Sequence, residues 1–185
     1  MRILFAGASG VLGRATLQHL DRHEVVALTR SPEKLQVLRD LGAEAAVCDV
    51  YDAEALLELA LSARPHAIVN FVTDLAEASL DASSRARREG GANLFEAATA
   101  SGTERLVVES VAFPLEGDAG QAVEELEQSA LRFSGEVLVL RFGRLWGPGT
   151  VYETPPRSPT IHIERAGAQA ARLITKAPPA TYDVI

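Results

Sequence analysis

A chain of 185 residues, 47% of them hydrophobic, is long enough for one domain with a substantial core and too apolar to be disordered. Its 25 acidic and 18 basic residues give a formal net charge of −7, and nothing in that balance points to nucleic acid, which calls for a basic face. The single cysteine, Cys48, excludes an internal disulfide and a cysteine-rich zinc site, and it fits a reducing, cytoplasmic setting.

The N-terminal stretch Arg2-Ile-Leu-Phe-Ala6 is short and apolar and reads as a buried strand. It runs into a turn with glycines at Gly7, Gly10 and Gly13, and then Val11, Leu12, Ala15, Leu17 and Leu20 recur at helical spacing. A strand, a glycine turn and a helix start together make a phosphate-binding place. Unpaired N–H groups point outward from the helix N-terminus, and glycines let a ligand come close. The same apolar run is too short for a membrane span and lacks a signal-peptide layout, so no membrane association is expected.

Glu24 to Arg30 is a second strand, and Ser31-Pro32-Glu33 opens a helix with Ser31 as N-cap and Pro32 in the first turn. Ala45 to Val50 is a third strand, Asp52 caps a strongly helical stretch, and His66 to Phe71 is a fourth strand. Val72 to Ser84 reads as a loop or broken helix, and Arg85 to Ser101 as a long helix stopped by Gly102. Arg85, Arg87 and Arg88 read as an exposed basic helix face. Glu104 to Ser110 is a fifth strand, Pro114 to Gly120 a loop, Val123 to Leu131 a helix and Glu136 to Phe142 a sixth strand.

Gly143 to Pro159 is rich in turn residues and has no period, so it reads as a surface loop. A short strand at Thr160 to Ile163, a helix at Glu164 to Lys176 and a last strand at Thr181 to Ile185 complete the chain. Apolar strands alternating with amphipathic helices imply an α/β fold with a doubly wound parallel sheet, in one domain. Ligands bind such sheets past the C-terminal strand ends. Here those ends fall at Gly7, at Thr29 and Arg30, at Asp49, at Asn70 and Phe71, at Glu109 and Ser110, and at Phe142 and Gly143.

With these ends placed, the sequence resembles the short-chain dehydrogenase/reductase superfamily, and most closely its extended and atypical epimerase/dehydratase-like branch. The resemblance rests on Gly7-x-x-Gly10-x-x-Gly13, Cys48-Asp49-Val50, Glu89-Gly-Gly-Ala-Asn93-Leu94, Leu140-Arg-Phe-Gly-Arg-Leu-Trp-Gly-Pro-Gly149, His162-Ile-Glu-Arg-Ala-Gly and Tyr182-Asp-Val. It implies one Rossmann-like NAD(P)-binding domain over residues 1–185 with a short substrate-side loop at about 143–160. The cofactor would lie on Gly7, Ser9, Gly10, Val11, Leu12, Gly13 and Arg14, on Thr29, Arg30 and Ser31, on Asp49 and Val50, and on Asn70, Phe71 and Val72.

An acid after the second strand would take the ribose 2′-OH of NAD(H). This chain has Thr29, Arg30 and Ser31 there, with Lys34 one turn on, which favours NADP(H) over NAD(H). The superfamily's Tyr-x-x-x-Lys is absent, and the resemblance puts Ala119 and Val123 in those places. Ser110 matches the family's serine, either as a donor to a substrate carbonyl or as a small residue beside the nicotinamide. Tyr152 in the long loop and His162 at the short strand after it are the other groups that could act on a substrate. The expected function is an NADP(H)-dependent oxidoreductase on a small-molecule substrate. The alternative is a non-catalytic NADP(H)-sensing module. No metal and no nucleic acid are expected as partners, and a homo-oligomer stays open.

Overall fold

The computed structural model describes residues 1–73 and 80–185. Its elements in chain order are β1 (Arg2–Ala6), α1 (Val11–Leu17), β2 (Glu24–Thr29), a 3-10 turn (Pro32–Lys34), α2 (Leu35–Asp40), β3 (Glu44–Val47), α3 (Ala53–Ala63) and β4 (Ala67–Asn70). Then come α4 (Leu80–Arg85), a π turn (Ala86–Gly90), α5 (Gly91–Ala100), β5 (Arg105–Val111), α6 (Gly117–Ala130) and β6 (Glu136–Phe142). The chain closes with β7 (Arg144–Trp146), β8 (Thr160–His162), α7 (Ile163–Lys176) and β9 (Ala180–Val184).

Seven strands form one parallel sheet in the order β3-β2-β1-β4-β5-β6-β9. The sheet is the doubly wound one expected. From β1 the chain winds outward through β2 and β3, then returns to the other side of β1 with β4. That reversal opens a crevice at the C-terminal ends of β1 and β4.

Each sheet face buries its own core. Ile3, Phe5, Val25, Ala27 and Val107 pack under α1 and α7, whereas Leu4, Val26, Ile68, Leu106 and Val108 pack under α3 and α5. Strand alternation sends neighbouring side chains to opposite faces, and both faces are covered, so the strands read as unbroken apolar runs. The two helices on the first face come unusually close: a Cβ on Gly167 would lie 2.4 Å from the Ala15 carbonyl carbon.

Arg105 ties three elements together. Its Nε donates to Glu136 at 2.8 Å, and its Nη1 donates to the carbonyls of Ile174 and Ala177, both at 3.0 Å, at the C-terminal end of α7. Those carbonyls have no partner within the helix, so the guanidinium caps it. Arg105→Met should therefore cost about 2 kcal/mol, a drop in melting temperature of roughly 4–8 °C.

Four local expectations are corrected. The helix expected at Arg85 to Ser101 begins earlier, at Leu80, and carries a π turn at Ala86–Gly90. α6 begins at Gly117, inside the expected loop, and turns against Leu115 so tightly that a Cβ on Gly120 would lie 2.2 Å from the Leu115 carbonyl oxygen. The expected 143–159 loop contains β7, which pairs in parallel with β8. Ser31 makes no side-chain cap; its own N–H donates to Thr29 Oγ1 at 3.2 Å, and the turn after it is 3-10. Asp52, by contrast, caps α3 as its residue type predicts, accepting from the Ala55 N–H at 3.0 Å. Part of the stretch expected as loop or broken helix, residues 74–79, lies outside the described residues.

Candidate functional site

The crevice over β1 and β4 continues into a cleft of about 730 Å³. At one end stands the glycine turn, where each glycine has a separate reason. Gly7 has φ +86°, and a Cβ there would lie 2.3 Å from the Phe71 carbonyl oxygen on β4's exit. Gly13 lets α1 sit on the turn, since a Cβ would lie 2.2 Å from the Gly7 carbonyl oxygen. Gly10 closes the turn, its N–H donating to Gly7 at 3.0 Å, and begins α1 with no side-chain cap. The first N–H groups of the helix thus face the cleft without side-chain competition, which is what a pyrophosphate needs.

The end of β2 is stitched to this turn. Thr29 Oγ1 donates to Ser9 Oγ at 3.3 Å and accepts from Ser31 N–H. Arg30, Ser31 and Lys34 follow on the cleft wall. On the far side, Asp49 and Val50 line the cleft; the Asp49 carboxylate accepts from Tyr51 N–H at 3.0 Å, and the Val50 carbonyl accepts from Asn93 at 2.8 Å. Cys48 beside them is buried, and burial, with the nearby Asp52 and Asp49 charges, pushes its thiol up to about 11. It is therefore a packed thiol rather than a nucleophile. Phe71 and Val72 also border the cleft, whereas Asn70 lies behind it, its side-chain oxygen accepting from Val72 N–H at 3.1 Å to shape the exit of β4.

The other end of the cleft is more apolar. Val111 at the end of β5, Phe113, Leu115, Ala119 in the first turn of α6, Phe142 and Leu145 line it. The guanidinium of Arg144 sits 4.1 Å over the Phe113 ring. Tyr152 borders the mouth, 42% exposed. The loop carrying it is knotted: Gly147 N–H donates to the Tyr152 carbonyl at 2.8 Å, and Thr150 Oγ1 bonds the carbonyls of both Gly147 and Tyr152 at 2.9 Å. Gly149 in that loop lies over the glycine turn, where its Cβ would meet Val11 at 3.7 Å.

Two candidates are not brought to the cleft. Ser110 is fully buried on the other side of β5 from Glu109 and Val111, and its hydroxyl donates to Glu127 at 2.5 Å. Glu127 in turn accepts from Arg141 Nε at 2.9 Å, so the three form a closed polar group behind the sheet. His162 packs its ring edge-on against Trp146, 4.6 Å between centroids, and fills the space that Gly147 leaves by lacking a Cβ.

Two charged residues in the wall differ in how the sequence placed them: Arg87 departs from its reading, and Glu109 falls at a strand end named there without a role. Arg87 is buried, 6% exposed, and lines the cleft, whereas Arg85 and Arg88 point outward to carboxylates. The expected exposed basic face is thus corrected at its middle arginine. Glu109, partly exposed on the same wall, has its carboxyl pushed up to about 7 by burial, against the pull of Arg87. A charged residue closing the apolar run of β5 was the one sequence signal for it. Among the described residues no group of side chains could hold a metal ion, and no helix is long and apolar enough to cross a membrane.

A twisted parallel sheet with a glycine turn at its switch point defines a dinucleotide-binding α/β protein. Comparison with known proteins narrows this. A family model described as NAD(P)H-binding matches residues 7–134. The chain is 37% identical to the 3-diazoavenalumate denitrifying reductase of a Streptomyces species, over 82% of its own residues and 59% of that protein, so it spans about three-fifths of that relative's length. Its fold is similar to the UDP-glucose 4-epimerase of Thermus thermophilus, solved with NAD, at TM-score 0.79 and 16% identity over 100% of this chain and 77% of that one. The UDP-Glc/GlcNAc 4-epimerase of Campylobacter jejuni is similar at TM-score 0.80 and 15% identity, over 98% of this chain and 77% of that one. The chain belongs to the NAD(P)H-binding family, and its fold is that of the epimerase/dehydratase-like short-chain dehydrogenase/reductase proteins.

Proposed function

We propose that this chain is an NADP(H)-dependent reductase of a small electrophilic substrate held between the end of β5, the start of α6 and the 143–160 loop. One observation carries the reading: a single continuous cleft joins the glycine turn to an apolar chamber at Val111, Phe113 and Leu145. The dinucleotide, when bound, supplies a hydride. The rest is done by the chain itself. The N–H groups at Gly10 and the start of α1 receive the pyrophosphate, and Thr29, Arg30 and Ser31 receive a 2′-phosphate. The apolar wall excludes water from the substrate side. Tyr152 stands at the mouth as the candidate donor to substrate, and Ser110 supports the wall from behind through Glu127.

No tyrosine here is followed four residues later by lysine, so the usual proton donor for a carbonyl is lacking. The name of the Streptomyces relative describes reduction of a diazo compound with loss of nitrogen. That chemistry suits such a wall, since a diazonium carbon accepts hydride as N₂ departs and needs no acid to polarise a carbonyl. The test is NADPH oxidation against aryl diazonium salts, quinones and small carbonyl compounds, with turnover expected for at least one class. Tight NADP(H) binding with no turnover of any would overturn the reductase and leave the sensing module.

Cofactor choice has its own test. Arg30→Ala should weaken NADPH and NADP⁺ by about 1–3 kcal/mol in calorimetric titration, the range for a hydrogen bond to a charged group, and leave NADH and NAD⁺ unchanged. Equal losses on all four would refute a 2′-phosphate contact.

A further inference from the structure

Three neighbouring arginines at the π turn Ala86–Gly90 have different destinations. Arg85 lies 4.0 Å over the Tyr51 ring and pairs with Glu89. Arg88 bridges Asp118 and Glu125 on α6. Arg87 turns inward. Its Nη1 donates to the Ser83 hydroxyl and lies 3.4 Å from the Ser83 carbonyl, and its buried Nε has no hydrogen-bond partner among the described residues. A π turn inserts an extra residue into a helix and so re-aims one side chain, commonly at a functional site. A guanidinium that is buried and incompletely bonded is costly to keep, unless something else completes it.

What surrounds it narrows that something. Arg87 and Ser83 line the same cleft as Glu109, Val111 and Phe113. The chamber therefore offers one buried cation in an otherwise mostly apolar wall. We propose that Arg87, fixed by Ser83 beside Glu109, is the anchor for the carboxylate of a small apolar or aromatic substrate. This rests on the reductase reading for the word substrate, but the anion site stands on the geometry alone. A planar guanidinium suits a planar carboxylate, and an apolar wall suits the body attached to it.

Glu109 gives the site a further property. The charge acting on it is that of Arg87; the other cleft cations stand elsewhere, Arg14, Arg30 and Lys34 at the cofactor end and Arg144 over Phe113. A second carboxylate entering beside Glu109 disfavours its ionised form, since like charges in a largely desolvated wall repel. As the anion enters, Glu109 takes up a proton from solvent and becomes a hydrogen-bond donor to it. Anion binding should therefore carry proton uptake above neutral pH.

Benzoate and its neutral isostere benzamide are suitable probes, titrated calorimetrically into the protein alone and with NADP⁺ present. Benzoate should bind at least tenfold more tightly than benzamide. Arg87→Met should abolish that preference, a loss of roughly ten- to a hundredfold for benzoate, while leaving NADP⁺ affinity unchanged. Arg87→Lys keeps the charge without the fork and should lose most of the preference with the fold intact, which covers a misfolded Arg87→Met. At pH 8, titrations in buffers of different ionisation enthalpy should show proton uptake with benzoate and none in Glu109→Gln. Benzoate binding no better than benzamide, or as well in both Arg87 variants, overturns the site. So does a loss of NADP⁺ affinity in them, which would give Arg87 to the cofactor. If NADP⁺ does not bind at all, the reductase reading falls, while Arg87-dependent binding of benzoate still supports the anion site.

Discussion

Gly13→Ala should lower the melting temperature by roughly 6–12 °C and abolish dinucleotide binding, whereas Gly10→Ala should spare the fold and still weaken binding. The difference follows from what a methyl group would touch. At Gly13 it would lie 2.2 Å from the Gly7 oxygen and 2.7 and 2.8 Å from the Ala8 backbone. These are backbone atoms of the turn itself. The turn is pinned by the Gly10 to Gly7 hydrogen bond at 3.0 Å and, just before it, by Phe71 N–H donating to Ala6 at 2.9 Å. Relief requires α1 to move off the turn, an overpacking cost of about 3 kcal/mol. At Gly10 the backbone has φ −71° and ψ 172°, open to any residue, and a Cβ would meet only the Gly7 oxygen, at 3.3 Å. That methyl group instead occupies the side from which a pyrophosphate approaches the helix N-terminus. Thermal melts and NADP⁺ titrations on both variants separate the two effects. A Gly13→Ala protein that melts like the wild type would mean that α1 does not sit this close. A Gly10→Ala protein with unchanged affinity would put the pyrophosphate elsewhere.

How much of this was legible depends on what each residue has to satisfy. β1 and β6 match the sequence reading residue for residue, because a strand buried on both faces shows as an unbroken apolar run with clear stops. The glycine turn was legible because its constraints are local and steric. The start of α6 was not, since Pro114, Gly117 and Gly120 all read as turn residues. Nor was β7, whose three residues pair only with a strand that lies beyond the long loop. Ser110 was placed at the correct strand end, but the alternation of β5 gives the cleft to Glu109 and Val111 and turns Ser110 to Glu127. Arg87 was hidden for a different reason. Three arginines within four residues read as one charged surface, yet at about 100° per residue Arg87 lies nearly opposite Arg85, on the side that faces the protein. Elements made by local pattern were readable; the side of an element on which a charged residue falls was not, when its charge alone was read.

Glu109→Gln should stabilise the protein at pH 8 by on the order of 2–3 kcal/mol and have no effect near pH 4. The carboxyl is raised from 4.5 to about 7 in the fold, mainly by burial, with Arg87 pulling the other way. The folded state therefore holds this proton more tightly than the unfolded chain. Below about 4.5 the carboxyl is neutral in both states, and nothing is lost. As pH rises from there, the unfolded chain ionises first and stability falls. Above about 7 both states are ionised and the full penalty of a charge in this wall remains. Glutamine has the shape of the protonated acid and never ionises, so the variant escapes the loss. His23, whose pKa burial lowers, is the same in both proteins, so the difference between them isolates Glu109. Urea melts of wild type and variant at pH 5, 6, 7 and 8 measure it, with the gap widening through the range. A gap that stays flat would mean that Glu109 ionises like an exposed carboxyl, and the wall beside Arg87 would then be wet. The same result would remove the basis for proton uptake on anion binding, because a carboxylate already solvated has no need of the proton.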